Sequence, residues 1–451
     1  MSRRLMAAVV FVLTLAVPAI GAAQDSSWRL KIGDPARKDR DVALVLDGII
    51  DTAAGKTLTA GELAAKLDDV KVVFVGESHT DIAFHRVQLQ VVRELQKRGR
   101  DVLIGLEMYP YTEQASLDLW NQGKESEKDF VAASQWYKNW GYHWNYYRDI
   151  FLFARDKGLK MYAVNTPREV VTAVRKKGFQ NLTPEEAARI PSKVDTTNEE
   201  HKQLFRAFFA GDDNLMHTMS GAMFDGMFAA QCTWDASMGY NAAQALKVFG
   251  GPKSVMVVLI GSGHVAYGLG IQRQAALWFD GKMASIVPVA IADGRGRPMG
   301  NVQASYADYL WGLPKEDDPV YPSLGLSTRD NKGEAPLEVI DVPKDTVAGL
   351  AGFKVGDVLQ AMDGTPLKSR EVMNTLMAEK RWADAAVFTV VRGGETMTLT
   401  AYFRRTLPAA ATKQPAPGGV VPQGLPGARL RWSAGDRGIP AAGSRVPNMR
   451  E

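Results

Sequence analysis

The chain has 451 residues, more than one hydrophobic core usually holds, so we expect two folded domains. With 46% hydrophobic and 23% charged residues, the composition excludes a mainly disordered or fibrous protein. The formal net charge is +4, but seven basic and two acidic residues in 405–451 contribute +5 of it. Residues 1–404 therefore sum to −1, which argues against a nucleic-acid-binding surface.

The N-terminus predicts a cleaved secretory signal peptide. Two arginines precede the apolar run Leu5–Val17, which is shorter than the about 20 residues that a membrane-spanning helix needs. Small residues follow this run, so we place cleavage near Ala23 and assign residues 1–23 to the signal. The single cysteine, Cys232, lies far downstream, so neither a lipoprotein anchor nor an internal disulfide is expected. The prediction is a periplasmic or secreted protein with no transmembrane segment after cleavage.

Apolar strands alternate with helices through the predicted first domain, residues 24–310. The predicted strands are continuous apolar runs, at Val70–Gly76, Asp101–Tyr109, Leu159–Asn165, Ser254–His264 and Ala284–Ile291. Helices are predicted at Ile82–Arg98 and within the Met- and Phe-rich stretch Pro184–Phe249. Because buried strands alternate with helices, we predict an α/β fold with a mostly parallel sheet and helices on both faces.

A smaller α+β domain is predicted at residues 323–404. A polar, proline-containing segment begins near Tyr306, and we assign residues 311–322 to a linker. The second domain has short alternating strands, one helix at Ser369–Lys380 and a closing hairpin that turns through Gly393-Gly394. Residues 405–451 hold seven Pro and seven Gly without periodicity and are predicted to be disordered.

Polar side chains follow four of the apolar strands. They are Glu77, His79 and His85 after the first strand, Glu107 in the second, Asn165 in the third and His264 after the fourth. The carboxyl ends of parallel strands meet at one edge of a sheet, so we expect these side chains to lie together. Such a set could bind a metal ion through His79, Glu107 and His264, or supply a general base.

Simpler interpretations exist for single members of this set. Glu77 or Asn165 could cap the helix that follows it, and any one histidine could be a structural hydrogen-bonding residue. We favour a joint site because polar residues end four apolar strands. His201 is expected at the surface, whereas His217 could line a cleft or pack in the helical stretch.

An aromatic segment, Ser134–Phe153, holds three Trp and four Tyr, with Arg148 among them. Tyr109 and Tyr111 lie close to Glu107 in the sequence. Such a surface suits a flat apolar ligand, since Tyr or His can reach an iron and Arg can pair with a propionate. For most of these aromatic residues, core packing is the better interpretation.

Five segments carry a family resemblance: Val72–Val92, Gly105–Tyr109, Ala163–Pro167, Gln231–Gly239 and Val258–Ile271. Together they resemble the ChaN-like family, which shares a superfamily with the Tiki proteases and the erythromycin esterases. The likeness spans about residues 30–308 and implies an α/β domain and haem binding linked to iron acquisition. The predicted haem contacts are His79, His85, Tyr109, Tyr111, Arg148, Asn165, His217 and His264. In relatives of the superfamily, the positions that match Gly76, Glu77, His79, Glu107 and His264 serve metal-dependent peptide cleavage or ester hydrolysis.

The second domain resembles a bacterial PDZ domain. Ser323–Ser327 is similar to the loop that captures a chain terminus, and Thr346–Ser369 matches the PDZ pattern of glycines and turns. The resemblance implies that a peptide adds as a strand and that Leu324, Gly325 and Leu326 bind its C-terminus. The alternative is a PDZ fold that only packs on its neighbour.

Two functions stay open at this point, and a third possibility, a pure interaction protein with a vestigial site, is disfavoured because polar residues are present at several strand ends. The favoured one is an exported haem-binding protein linked to iron acquisition, whose PDZ domain binds a peptide or protein partner. The alternative is a metal-dependent peptidase or esterase in which Glu77, His79, Glu107 and His264 hold an ion such as zinc or activate water. No nucleic-acid partner is expected, and the axial haem ligand, the PDZ ligand and a homodimeric assembly are left open.

Overall fold

The computed structural model describes residues 27–208, 220–291, 301–315, 319–329 and 337–405. The predicted signal peptide, the predicted disordered tail after Arg405 and His217 lie outside the described residues. The chain up to Thr406 forms one compact unit. Within the described residues, every helix is too short or too polar to cross a lipid bilayer.

The first domain is built on a large, mostly parallel sheet. Its strands are β1 (Asp41–Val42), β2 (Ile49–Asp51), β3 (Lys56–Leu58), β4 (Val72–Glu77), β5 (Asp101–Pro110), β6 (Lys160–Asn165), β7 (Ser254–Gly261), β8 (Met283–Ala290), β9 (Val302–Gln303) and β10 (Tyr309–Leu313). Eight of them form one sheet in the order β3-β2-β10-β8-β4-β7-β5-β6, and β1 pairs with β9. The strands from β10 to β6 run parallel, whereas β2 and β3 are antiparallel at one edge.

Helices cover both faces of this sheet. They are α1 (Ala60–Lys66), α2 (Ile82–Lys97), α3 (Gln114–Asn121), α4 (Glu127–Ala133), α5 (Trp136–Asn139), α6 (Arg148–Asp156), α7 (Arg168–Lys177), α8 (Pro184–Ala187), α9 (Glu199–Ala207), α10 (Gly221–Phe249), α11 (Ser262–Val265) and α12 (Ile271–Ala275). Short 3-10 helices lie at Tyr111–Glu113, Trp144–Tyr146, Phe179–Asn181 and Ala266–Gly268.

The alternation of side chains along the central strands divides the core into two layers. In β4, Val73 and Val75 pack in the layer that contains α1, α2 and α6, whereas Val72 and Phe74 pack in the layer that contains α10 and α12. β4 and β7 are buried along their whole length. Burial on both faces explains why the sequences of these strands are continuous apolar runs. The mostly parallel sheet with helices on both faces confirms the predicted fold class.

The register of the central strands brings their carboxyl ends together. Glu77 of β4 lies beside Gly261 of β7, and Leu106 of β5 lies beside Leu259 of β7. β7 therefore separates the strand that carries Glu77 from the strand that carries Glu107. The residues that end these three strands meet at one rim of the sheet.

The prediction that residues 311–322 form a linker is wrong for its first three residues. Trp311, Gly312 and Leu313 end β10, which lies between β2 and β8 and is buried from Leu310 onward. The run Tyr-Leu-Trp-Gly-Leu is apolar enough for a buried strand, but polar and proline-containing sequence surrounds it. The predicted set of strands also lacked β2 and β3, which have only three residues each.

The second domain is a small antiparallel β-structure. Its elements are β11 (Ser327–Arg329), β12 (Leu337–Asp341), α13 (Val347–Leu350), β13 (Val358–Met362), β14 (Thr365–Pro366), α14 (Arg370–Ala378), β15 (Ala385–Arg392) and β16 (Glu395–Tyr402). The sheet order is β11-β12-β13-β15-β16, and β14 pairs with β13. Arg392 pairs with Glu395 across Gly393 and Gly394, which both have positive φ, so the predicted hairpin turn is confirmed.

Candidate functional site

Four of the predicted polar residues meet at the carboxyl rim of the parallel sheet. Donor atoms of Glu77, His79 and Glu107 all lie within 4.8 Å of one another. His264, in the short helix that follows β7, places its Nε2 3.4 Å from Glu107 Oε1. The structure therefore brings together the residues for which the sequence predicted a metal or catalytic site.

Glu77 and His79 form a buried carboxylate–imidazole pair. His79 Nδ1 lies 2.8 Å from Glu77 Oε1, and the Tyr147 hydroxyl donates to the same oxygen at 2.6 Å. Burial alone would raise the pKa of Glu77, but the neighbouring His85, His79 and Tyr147 lower it to about 2. Glu77 is therefore ionised at neutral pH and accepts the Nδ1 proton of His79. Burial alone would lower the pKa of His79, but Glu77 and then Glu107 raise it above its ordinary value.

A second layer of side chains holds Glu77 in place. The Gln88 side-chain amide, on α2, donates to Glu77 Oε2 at 2.8 Å and to the Val75 carbonyl at 3.2 Å. His85 Nδ1 lies 3.1 Å from Gln88 Oε1 and is almost fully buried. Burial lowers the pKa of His85, so we assign it a structural role behind the carboxylate. α2 begins at Ile82 with Asp81 as its cap, so Glu77 does not cap this helix.

His264 lies between two carboxylates. Its Nδ1 lies 2.5 Å from Asp235 Oδ1, and its Nε2 faces Glu107. The amide nitrogen of Gln231 is 2.9 Å from the same Nδ1. Burial alone would lower the pKa of His264, but Asp235 and then Glu107 raise it to about 10. His264 is therefore a buried imidazolium at neutral pH.

Glycine is required where β7 reaches the rim. A Cβ atom at Gly261 would lie 3.2 Å from His79 Cε1 and 3.7 Å from Glu107 Oε2. The Gly261 N–H also donates to Glu107 Oε2 at 2.6 Å. The absence of a side chain therefore lets His79 approach β7, while the backbone holds Glu107.

Aromatic rings flank the exposed side of His79. The ring centroids of Trp140 and Tyr142 lie 4.8 Å and 4.7 Å from that of His79. The remainder of the aromatic segment packs in the core, where Trp136, Tyr147 and Phe151 are fully buried. The interpretation of most of these residues as core packing is therefore confirmed.

The structure places three more of the predicted haem contacts. Tyr109 is fully buried, and its hydroxyl lies 2.7 Å from Ser134 Oγ. Arg148 pairs with Glu127 at 2.7 Å, and Tyr111 begins a 3-10 helix after β5. Tyr109 packs against Trp136 in the aromatic core, so it does not line the rim beside His79.

Asn165 lies closer to the rim. Its side-chain amide donates to the carbonyl of Glu107 at 2.8 Å, and its Oδ1 accepts the N–H of Thr166. α7 begins after Pro167, so Asn165 does not cap that helix. Asn165 therefore holds the end of β5 at the rim.

Two buried residues behind His264 were missed. Asp235 lies on α10 and is fully buried, and His201 is 1% exposed, so its predicted surface position is wrong. His201 Nε2 lies 3.7 Å from Asp235 Oδ2, and burial lowers the pKa of His201 to about 4. An aspartate inside the apolar run of α10 was the signal that could have identified this contact.

The donor set fits a small divalent cation. Glu107 and His79 supply ligands of the kinds that zinc accepts, and Glu77 orients the imidazole as outer carboxylates do in metal sites. His79 Nδ1 is occupied by Glu77, so its Nε2 is the nitrogen left for an ion or a proton.

Comparisons with known proteins assign both domains. Residues 63–274 match the model of a family described as haem-binding uptake, Tiki superfamily, ChaN, and residues 322–402 match the PDZ domain model. Among curated proteins, the chain is similar to Protein RETICULATA-RELATED 5, chloroplastic, of Arabidopsis thaliana, with 25% identity over 215 residues. The match covers 45% of this chain and 28% of the plant protein, so the chain spans less than a third of that relative.

Solved structures show weaker likenesses. ChaN of Campylobacter jejuni, which binds haem cofacially, matches with a TM-score of 0.46 and 20% identity over 60% of this chain and 96% of its own. The erythromycin esterase EreC in an open conformation matches with a TM-score of 0.32 and 11% identity over 51% and 72% of the two chains. The HtrA-type protease AlgW with a decapeptide matches with a TM-score of 0.19 and 19% identity over 27% and 41%. The family models thus match residues 63–274 to the haem-binding uptake, Tiki superfamily, ChaN family and residues 322–402 to the PDZ domain.

Proposed function

We propose that the rim is an acid–base centre for hydrolysis of an ester or peptide carbonyl. The observation that carries this proposal is the pairing of His79 with the Glu77 carboxylate beside a positively charged His264. A general base and a cation beside one small site are what attack of water on a carbonyl requires.

His79 is the general base. Glu77 accepts the Nδ1 proton, which leaves the Nε2 lone pair to take a proton from water. Tyr147 and Gln88 fix the carboxylate, so the imidazole keeps one orientation and one tautomer. The hydroxide oxygen bonds to the carbonyl carbon, and the π electrons of the carbonyl move to its oxygen.

His264 stabilises the resulting negative charge. Asp235 accepts the Nδ1 proton of His264, and the Nε2–H of that imidazole, which lies 3.4 Å from Glu107, is the donor left for the oxyanion. Collapse of the tetrahedral intermediate breaks the bond to the leaving group, which takes the proton held on His79. Glu107, fixed by the Gly261 N–H, holds His264 in place.

His79, oriented by Glu77, and Glu107 would hold a divalent ion if the centre is metal-dependent. A bound ion of this kind supplies a water molecule of lowered pKa. Metal analysis of the purified protein therefore distinguishes the metal-dependent form of the centre from the metal-free form.

Haem binding is the second candidate, and the match to the haem-binding uptake family favours it. His79 would be the residue to test as an iron ligand, because Glu77 orients its ring and Trp140 and Tyr142 flank it. This candidate includes export to the periplasm, on the evidence of the N-terminal pattern, and a role in iron acquisition. Its PDZ domain would then bind the peptide or protein partner.

One preparation of the full-length protein tests both candidates. It is assayed with p-nitrophenyl esters and a fluorogenic peptide mixture, analysed for metal, and titrated with haem. We expect hydrolysis that falls by about 10²–10⁴-fold in His79→Ala and His264→Ala. His143→Ala is the control, because it removes a partly buried imidazole outside the rim. A stoichiometric Soret band lost in His79→Ala, with no hydrolysis, would instead establish the second candidate.

A further inference from the structure

His264 is held by a buried aspartate that uses only one of its two oxygens. Asp235 Oδ1 lies 2.5 Å from His264 Nδ1. Within the described residues, the other oxygen, Oδ2, is buried and accepts no hydrogen bond. A buried carboxylate is stable only when its surroundings fix it, so the groups that face Oδ2 decide how firmly Asp235 can hold His264.

Two neighbours border the Oδ2 atom of Asp235. His201 Nε2, on α9, is 3.7 Å away, which is about 0.5 Å beyond the usual hydrogen-bond range. On another side, a Cβ atom added at Gly270 would lie 3.1 Å from Oδ2. The turn before α12 therefore leaves little room beside this oxygen, and His201 faces it with a ring nitrogen.

The tautomer of His201 is fixed by donors on its other ring nitrogen. Arg273 Nη2 donates to His201 Nδ1 at 3.2 Å, and the Cys232 thiol lies 3.8 Å from the same nitrogen. Burial lowers the pKa of His201 to about 4, so the ring is neutral and carries one proton. A guanidinium donates but cannot accept, so Nδ1 has the lone pair and Nε2 has the proton. The His201 N–H is therefore aimed at the free oxygen of Asp235.

Arg273 is in turn fixed between α12 and the segment that precedes α9. Its guanidinium pairs with the Asp195 carboxylate, and it donates to the Asp195 carbonyl at 3.1 Å and to the Leu269 carbonyl at 2.8 Å. The fully buried Gln274 side chain bonds both the N–H and the carbonyl of Asp195. A continuous chain of polar contacts thus leads from Asp195, which is partly exposed, to the rim.

We propose that His201 and Arg273 are positioning residues for His264 and act through Asp235. Arg273 sets the tautomer of His201, and the His201 N–H orients the Asp235 carboxylate. The oriented carboxylate then directs the Nε2–H of His264 into the rim. The catalytic consequence rests on the proposed function, because that function assigns His264 to the oxyanion, whereas the positioning itself does not depend on hydrolysis.

Proton NMR of the full-length protein tests the positioning. The short bond from His264 Nδ1 to Asp235 predicts an imidazole N–H signal at the low-field end of the spectrum, and His264→Asn identifies this signal by removing it. His201→Phe keeps a flat ring without an N–H, and Arg273→Met cannot donate to His201. In both variants we expect the signal to move to higher field or to be lost through exchange with water. Arg273→Lys keeps a charged donor and should retain the signal.

Kinetics test the catalytic consequence with a substrate that the wild-type protein hydrolyses. We expect kcat to fall by about 10–100-fold in His201→Phe and Arg273→Met, while KM changes by less than about twofold. This separation follows because His264 acts on a negative charge that develops only in the transition state.

Arg37→Met is the matched control for Arg273→Met. Arg37 also pairs with carboxylates, those of Asp34 and Asp308, and its side chain is 14% exposed against 18% for Arg273. Asp308 bonds Ser285 near the start of β8, so this pair lies at the opposite end of the sheet from the rim. The control should keep both the low-field signal and the wild-type kcat.

The low-field signal separates the failure of this proposal from the failure of the proposed function. A wild-type protein that hydrolyses nothing, with the expected signals in the variants, would refute hydrolysis and support the positioning. Absence of the signal in the wild-type protein, an unchanged signal in folded His201→Phe and Arg273→Met, or its equal loss in Arg37→Met would each overturn the proposal. A wild-type kcat in both variants would overturn it as well.

Discussion

His264 carries a positive charge at neutral pH because Asp235 and Glu107 hold its imidazole. Its pKa in the folded protein, about 10, lies above the ordinary value of 6.5. The folded state therefore binds this proton more tightly than the unfolded state does. The resulting stabilisation is fully present below about pH 6.5 and is lost as the pH rises through about 10.

Imidazole carbon chemical shifts measured against pH test this charge. We expect the His264 signal to titrate near pH 10 and Asp235→Asn to bring its midpoint down toward the ordinary value. The signal that disappears in His264→Asn assigns the His264 resonance. A His264 midpoint near the ordinary value in the wild-type protein would contradict the proposed role as a cation.

Gly261 allows His79 to reach its position, so adding one methyl group should disturb the rim. We expect Gly261→Ala to lower the rate of hydrolysis or the metal occupancy by about tenfold, while the free energy of unfolding changes by less than about 1 kcal/mol. Gly251→Ala is the control, because the nearest atom to its added Cβ would be 4.0 Å away. Equal activity of both variants would show that His79 does not need this clearance.

The residues at strand ends could be predicted, but those on helices could not. Glu77, Glu107 and His264 each follow or end an apolar run, and parallel pairing brings such positions to one edge. Asp235 and His201 reach His264 only through the packing of α10 and α9 on the sheet. Sequence periodicity predicts the buried face of a helix but not the residues that this face contacts. The contacts of Asp235 and His201 behind His264 could therefore not be predicted.

At the scale of elements, β10 is a buried strand that stabilises the first domain, although the sequence around it suggests a linker. Trp311 is 6% exposed and packs in the same core layer as α1 and α2. We expect Trp311→Ala to lower the free energy of unfolding of the first domain by about 3–5 kcal/mol, measured by urea denaturation. Val248→Ala, at a position that is 66% exposed, should change it by less than about 0.5 kcal/mol. A similarly small effect of Trp311→Ala would place β10 outside the folded core.

The five strands predicted in the first domain and the hairpin of the PDZ domain agree with the structure, because long apolar runs and a Gly-Gly turn are strong local signals. β10 pairs with β2 and β8, and β2 pairs with β3. Such pairing between distant segments cannot be predicted from the local sequence of these short strands. The position of Tyr109 could not be predicted either. The pairing of β5 with β6 becomes irregular beyond Leu106, and the Tyr109 side chain packs in the aromatic core instead of lining the rim.

At the scale of the whole molecule, His143 joins the PDZ domain to the first domain in its neutral form. Its Nδ1 accepts the N–H of Asn145, so its Nε2 carries the proton that is donated to the Ala378 carbonyl. Burial lowers its pKa to about 4. As the pH falls, His143 is protonated at a higher pH in the undocked state than in the docked state. The stabilisation of docking by neutral His143 is therefore fully present above about pH 6.5 and is lost as the pH falls through about 4.

Distances between spin labels at Leu119 and Tyr402, two exposed positions on different domains, test this pH dependence. Cys232 is buried, so labels introduced at new cysteines are not expected to compete with it. We expect a narrow distance distribution at about pH 7.5 and a broader one at about pH 4.5, where His143 begins to be protonated. His143→Phe keeps the stacking on Tyr321 but cannot be protonated, so its distribution should change less with pH. Equal broadening in the two proteins would show that another group controls docking, and no broadening in the wild type would show that the neutral imidazole is not required.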